Sequence, residues 1–193
     1  TYPIYGNGCK LMDSGILRVQ GAGHIKVKLH RPVVGRIKAV TIKRDASRWT
    51  VSFSVEQSAR ALPLIGEVIG IDVGVTSFAV LSNGAEIQNP RYYRNAEARL
   101  RRCQRKTARR RKGSTRRRKA VMLLRQAHCH ITNQRADFHH KLSHQMVNEF
   151  GTVAVEDLNV RGLSGGMLAK PVNDAAWGQF LTFLDYKAES AGR

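Results

Sequence analysis

Acidic residues are scarce in this chain of 193 residues: 14 Asp and Glu stand against 33 Lys and Arg, for a formal charge of +19. That shortage excludes the mixed-sign surface of an ordinary globular protein and points to a polyanionic partner, because a compact body carrying such a field gathers opposite charge from solution. Nucleic acid is the usual polyanion, although an anionic membrane surface would also answer to it. Long apolar runs are missing as well. None approaches the roughly 18 residues of a spanning helix, and no basic-then-apolar leader opens the sequence, so a soluble, intracellular protein with no membrane partner is expected. Cysteines are few: Cys9, Cys103 and Cys129 are odd in number, widely spaced and form no CxxC pair. This excludes a disulfide framework and a zinc ribbon. The five histidines His128, His130, His139, His140 and His144 lie near Cys129, but Phe138 and Leu142 make that stretch a packing helix before it is a zinc site.

What is present divides the chain. Residues 1–60 alternate apolar and polar over Ile16–Val19, His24–Leu29, Ala39–Lys43 and Trp49–Val55, with turn chemistry at Gly21-Ala22-Gly23 and Asp45-Ala46-Ser47. That pattern predicts an antiparallel β domain with one buried face, closed as a small β-barrel. Pro63 interrupts it, which sets a boundary between 1–62 and 63–193. An apolar strand follows from Val68 to Gly74, then Phe78–Leu81 and a hairpin turn at Asn83-Gly84. Residues 91–135 hold seventeen Lys or Arg against one acid, Glu97, and Lys112-Gly113-Ser114 breaks the run into two helical arms. Leu124, Ile131 and Phe138 recur at sevens with Ala127 and Leu142 between them, so a basic helical hairpin with one apolar seam is expected over about 94–149. Thr152–Leu158 reads as a buried strand. A Gly-rich loop at 162–166 then precedes a last helix whose Trp177, Phe180, Leu181 and Leu184 face a core. The fold class is α/β, α+β overall.

Two residues carry the chemistry. Asp72 sits in an apolar strand, where an unpaired buried carboxylate costs several kcal/mol and calls for a cation or donors. Gly74 beside it leaves room for a metal or phosphate to reach the backbone. Glu156 repeats the arrangement after Val153-Ala154-Val155. Two acids at the ends of two strands suit a hard divalent cation with oxygen ligands on rigid elements. Pattern alone leaves open that each merely caps a turn or pairs with an arginine. Asp157, on the opposite face of its strand, has a supporting or purely structural role, and Asp174 reads as the N-terminal residue of a helix, placed there by the dipole.

The stretches Gly66–Val75, Val155–Val160 and Leu168-Ala169-Lys170 through Asp174–Phe180, with His30-Arg31-Pro32 and Gly35-Arg36-Ile37-Lys38 and the Trp49 strand, together resemble the TnpB (OrfB) proteins of bacterial insertion sequences. These are relatives of the type V CRISPR effectors. The resemblance implies that residues 1–62 are the end of a wedge-like β-barrel that grips a guide RNA. Residues 63–193 would then be an incomplete RuvC nuclease domain of RNase H-like fold, with the basic hairpin inserted and a lid and helix over about 162–193. Asp72 and Glu156 match the first two catalytic carboxylates, which bind Mg²⁺ or Mn²⁺ for DNA phosphodiester hydrolysis. A third aspartate and a zinc ribbon belong to the family and are absent from this sequence, so a truncated, catalytically incomplete copy is expected. The alternative is a non-catalytic RNA- or DNA-binding protein.

Runs of like charge on a helix repel unless a polyanion lies against them. The nucleic-acid-binding set is therefore Arg31, Arg36 and Lys38 in the first domain. In the hairpin it comprises Arg101, Arg102, Arg105, Lys106, Arg109, Arg110, Arg111, Lys112, Arg116, Arg117, Arg118, Lys119 and Arg125. Guide RNA and target DNA are the partners the resemblance implies, in the cytoplasm of a bacterium or archaeon. Such contacts read the backbone, and pairing supplies the sequence specificity.

Overall fold

The chain divides into Thr1–Ser58 and Ala59–Arg193. The computed structural model describes residues 1–12, 15–46, 48–57, 61–63, 65–163, 165–166 and 168–193, with the backbone alone at Val160 and Arg161.

In the first unit, β1 (Cys9–Met12), β2 (Ile16–Val19) and β3 (Gly23–Lys26) form an antiparallel meander, and β4 (Arg36–Asp45) with β5 (Arg48–Glu56) forms a long hairpin. Cys9, Leu17, Val19 and Val40 are its buried centre. The expected β-barrel is corrected here, since among the described residues the strands form a three-stranded and a two-stranded sheet and no closed barrel. A barrel needs a continuous ladder around its wall. Here β4 and β5 pair as a ladder only with each other, every residue of β3 is exposed, and β4 meets the chain's start through the Tyr2–Val40 bridge and the Tyr5 N–H donated to the Lys38 carbonyl.

The second unit holds β6 (Val68–Val73), β7 (Ser77–Leu81), β8 (Glu86–Gln88), α1 (Tyr92–Ala108), α2 (Thr115–Glu149), β9 (Thr152–Val155), α3 (Val160–Leu163), α4 (Ala169–Ala175) and α5 (Trp177–Ala191). Its sheet runs β8-β7-β6-β9, antiparallel except that β9 lies parallel to β6. Parallel neighbours need a long crossover, and the α1–α2 hairpin lies within it. The turn between the helices rests on Gly113 at φ +82 and on Ser114, whose hydroxyl accepts the Arg117 N–H at 3.2 Å.

One sheet face is apolar because Ile69, Ile71, Ala79 and Leu81 alternate onto it, and α2 and α5 cover it with Leu142, Met146, Val147, Phe180 and Leu184. A register shift between Ser77 and Ala79 accompanies the burial of Phe78, whose ring meets Phe138 and Phe180 edge-on at 4.9 and 5.3 Å. The stripe of sevens on α2 serves two partners in turn. Leu124, Ala127 and Ile131 pack with Leu100 of α1, whereas Phe138 and Leu142 belong to the sheet core. Gly151 precedes β9 because any Cβ there would run into the Ile65 carbonyl oxygen. The fold is mixed α/β.

Candidate metal and nucleic-acid sites

Register decides how Asp72 and Glu156 stand to each other. The β6–β9 couples are Val68↔Thr152, Ile69↔Val153, Gly70↔Ala154 and Ile71↔Val155, and Asp72 and Glu156 are the residues that follow the last couple on each chain segment. Neighbouring strands run about 4.8 Å apart. Alternation sends Ile69 and Ile71 into the core and Gly70 and Asp72 to the other face. There Asp72, Glu156, Gly70, Val80, Ser82 and Ala154 line one open cleft of about 430 Å³.

Both acids are exposed, and this corrects the expectation of burial. Apolar neighbours in sequence report the face that is covered, while Asp72 belongs to the open face, as do Val68 and Val80 at 66% and 38% exposure. Neither carboxylate has a hydrogen-bond donor or cationic partner among the described residues, so neither spends its charge on a cap or an ion pair there. The Leu158 N–H donates to the Glu156 carbonyl at 3.1 Å, and Asp157 is exposed. Two free carboxylates on adjacent rigid strands fit a hard cation that keeps several waters. Among the described residues no third His, Cys, Asp or Glu joins them to form a metal-binding group.

Ser82 was not foreseen. Its Oγ accepts the Gly70 N–H at 3.0 Å and its own N–H donates to the Gly70 carbonyl at 2.9 Å, so the hydroxyl hydrogen is left to the cleft. A Cβ at Gly70 would sit 3.4 Å from that of Ser82, so the glycine helps make room for it. Residue 82 reads in the sequence only as part of the Asn83-Gly84 turn.

Asp174 is a correction of a different kind. It is buried near the end of α4 and caps another helix: Oδ1 accepts the Tyr93 N–H at 2.8 Å and Oδ2 the Arg94 N–H at 3.0 Å. Helix α1 begins at Arg91 in the left-handed region, without a side-chain cap of its own and with no acid in its first turn. Asp174 supplies the missing negative charge from 80 residues away. The carbonyls that end α4 are met by α2: Arg135 Nη1 donates to Asn173 at 2.6 Å, and His139 Nε2 lies 3.0 Å from the Ala175 oxygen. A carbonyl only accepts, so Nε2 carries the proton, and Nδ1 faces the Gln179 side chain at 3.1 Å. Burial pushes the His139 pKa down, against the opposing effect of its hydrogen-bond partners, the Gln179 side chain and the Ala175 carbonyl. Lys170 ties α4 to α1 through both oxygens of Glu97, at 2.6 and 2.7 Å, and holds that carboxyl below its usual range.

The basic residues fall into two groups. Arg102, Arg105 and Lys106 of α1, with Arg109 and Arg110 just past its end, line a cleft of about 490 Å³ with no acid in it. Arg111, Lys112, Arg116, Arg118, Lys119 and Arg125 are exposed on the same hairpin, as are Arg31 and Arg36 in the first unit. The others have protein partners. Arg101 pairs with Glu97 at 2.8 Å and Lys38 with Glu56 at 2.8 Å, while half-buried Arg117 donates to the Thr107 and Arg110 carbonyls at 2.8 and 3.1 Å and so ties α2 to the end of α1. The histidines are dispersed in role: His140 stacks on Phe183 at 3.9 Å, and His144 meets Asn148 at 3.0 Å. No described helix is long and apolar enough to cross a membrane.

These features define a mixed α/β protein with a paired-carboxylate cleft and an arginine-rich helical crossover. The OrfB_IS605 family, described as "Probable transposase", matches residues 51–166. The chain belongs to this TnpB/OrfB family. It is 44% identical over 156 residues, 80% of its length, to a Streptomyces pristinaespiralis protein named "Putative RNA-guided DNA endonuclease". It is 26% identical over 173 residues, 86% of its length, to InsQ of Escherichia coli K12, which bears the same description. The chain spans 39% and 43% of the lengths of these relatives.

Proposed function

We propose that the chain is part of an RNA-guided DNA endonuclease of the TnpB kind, in which Asp72 and Glu156 hold Mg²⁺ or Mn²⁺ for hydrolysis of a DNA phosphodiester. The observation that supports this reading is that the β6–β9 pairing ends one residue before each acid and that both carboxylates, unpartnered among the described residues, line one cleft. The first unit takes the place of the wedge-like domain and the second that of the RuvC, RNase H-like domain. Bound there, divalent cations supply charge stabilisation of the phosphoryl oxygens and a more acidic water. The chain's own contribution is to fix the cation ligands on two strands, to offer the Ser82 hydroxyl to an oxygen in the cleft, and to hold nucleic-acid backbone against α1 and α2. Guide RNA and target DNA are the partners, and the compartment is the bacterial or archaeal cytoplasm.

The third carboxylate of the family's site is not among these 193 residues, so this chain by itself is expected to bind metal without cutting DNA. A non-catalytic nucleic-acid binder is the second reading, and it is favoured by the count of two carboxylates. Manganese titration followed by electron paramagnetic resonance separates the two. On the catalytic-lineage reading, D72N and E156Q each lose at least tenfold in Mn²⁺ affinity while the melting temperature stays within a few degrees. Equal affinity in wild type and both variants would leave only the binder.

A further inference from the structure

The inner face of the β4–β5 hairpin is ordered as three cross-strand couples: Val40↔Phe53, Ile42↔Val51 and Arg44↔Trp49. The first two belong to the core of the unit, with Val40 fully buried and Phe53, Ile42 and Val51 packed against it. The third projects past that core. Trp49 is 67% exposed, and the Arg44 guanidinium lies 5.7 Å from the centre of its ring. An indole carries more apolar area than almost any other side chain, and leaving it in water forgoes that stabilisation. Arg48, one residue before it, is exposed on the other face of the strand, and neither Arg44 nor Arg48 has a carboxylate partner among the described residues, since Asp45 is taken by Lys43 at 3.1 Å.

The charge around the ring selects the occupant. An apolar protein surface laid on Trp49 would strip water from the Arg44 guanidinium without giving it a counter-charge. An unpaired nucleobase offers a flat π face to the indole and carries phosphates on either side within reach of arginine forks. We propose that the end of the β4–β5 hairpin is a stacking platform for an unpaired nucleobase, with Trp49 against the base and Arg44 on a flanking phosphate, while Arg48 adds positive charge from the other face of the hairpin. The inference is independent of the carboxylate cleft and goes beyond holding backbone by charge.

The chain contains two tryptophans, and Trp177 is only 3% exposed, so solvent-sensitive indole emission reports Trp49. The test titrates the 193-residue protein with oligouridylate, with oligothymidylate and with inorganic polyphosphate, a polyanion without bases. Quenching by the strands with little response to polyphosphate is expected. W49A, at an exposed position, keeps its melting temperature but loses the quench and about tenfold in affinity for the strands, and W49F recovers part of that affinity. A response to one strand type alone supports the platform and identifies whether RNA or DNA supplies the base. Emission unmoved by saturating strands, or quenched as strongly by polyphosphate, overturns it and leaves the exposed ring to a protein partner.

Discussion

At the scale of single residues, His139 shows what burial does to a titratable group. Its ring is 1% exposed among Phe78, Phe138 and Phe180, and burial holds its pKa below the ordinary 6.5. The unfolded chain therefore binds more protons than the folded one as pH falls below 6.5, so the stability present above that value drains away until the folded ring itself protonates. Arg135 and His140 lie close enough to disfavour the added charge further. Thermal melts between pH 7 and pH 5 should show the melting temperature falling with acidity. The fall should be shallower in H139Q, and an identical pH profile in that variant would contradict the assignment. His140 titrates in the same direction, from its own burial and the nearby Lys187, so some dependence remains in the variant. Nothing in the primary sequence distinguishes His139 from its four neighbours. The difference is made by α4, which ends 36 residues later with a carbonyl in need of a donor.

At the scale of elements, the start of α1 depends on a residue that local reading assigns elsewhere. Asp174 stands just before the Trp177 helix in sequence and looks like its cap, because capping residues are sought within a turn of the helix they serve. The structure instead gives its two oxygens to the Tyr93 and Arg94 amides. D174A should cost about 1–2 kcal/mol by removing a charged cap and leaving two amides unpaired, and D174N should cost less because one acceptor oxygen remains. Melting curves with amide exchange at Tyr93 and Arg94 check both, with faster exchange expected at the first turn of α1. The hairpin itself was legible, since its periodicity, the Lys112-Gly113-Ser114 break and the seam from Leu124 to Ile131 all agree with α1 and α2. Strand β1 (Cys9–Met12) is the element of the first unit that the sequence reading does not contain.

At the scale of the whole molecule, most of the charge of +19 lies in residues 91–135, where seventeen Lys or Arg face one acid, Glu97. Affinity for single strands should fall with salt at a log-log slope of about 0.7 per neutralised phosphate, or about 0.9 for a duplex. Replacing Arg102, Arg105 and Arg109 with alanine should flatten that slope by about two to three units, because each is exposed and lines the same acid-free cleft at the end of α1. R117A should change it little, because its guanidinium is occupied by two carbonyls, and should instead loosen the turn between the helices. Filter binding at four or five salt concentrations reads both effects, and a slope independent of salt would remove electrostatics as the basis of binding.

The sequence by itself determined the charge, the basic hairpin, the apolar strands and the two acids set among them, because composition and short-range periodicity are local properties. Tertiary structure alone decided which side chains share a surface. It made Asp72 and Glu156 neighbours on an open face instead of buried groups, left two sheets where a barrel was expected, gave Asp174 to a distant helix and put Trp49 beyond the edge of its core. Each outcome depends on strand register and on which face is covered. Those are set by contacts between residues tens of positions apart, and no pattern along the chain encodes them.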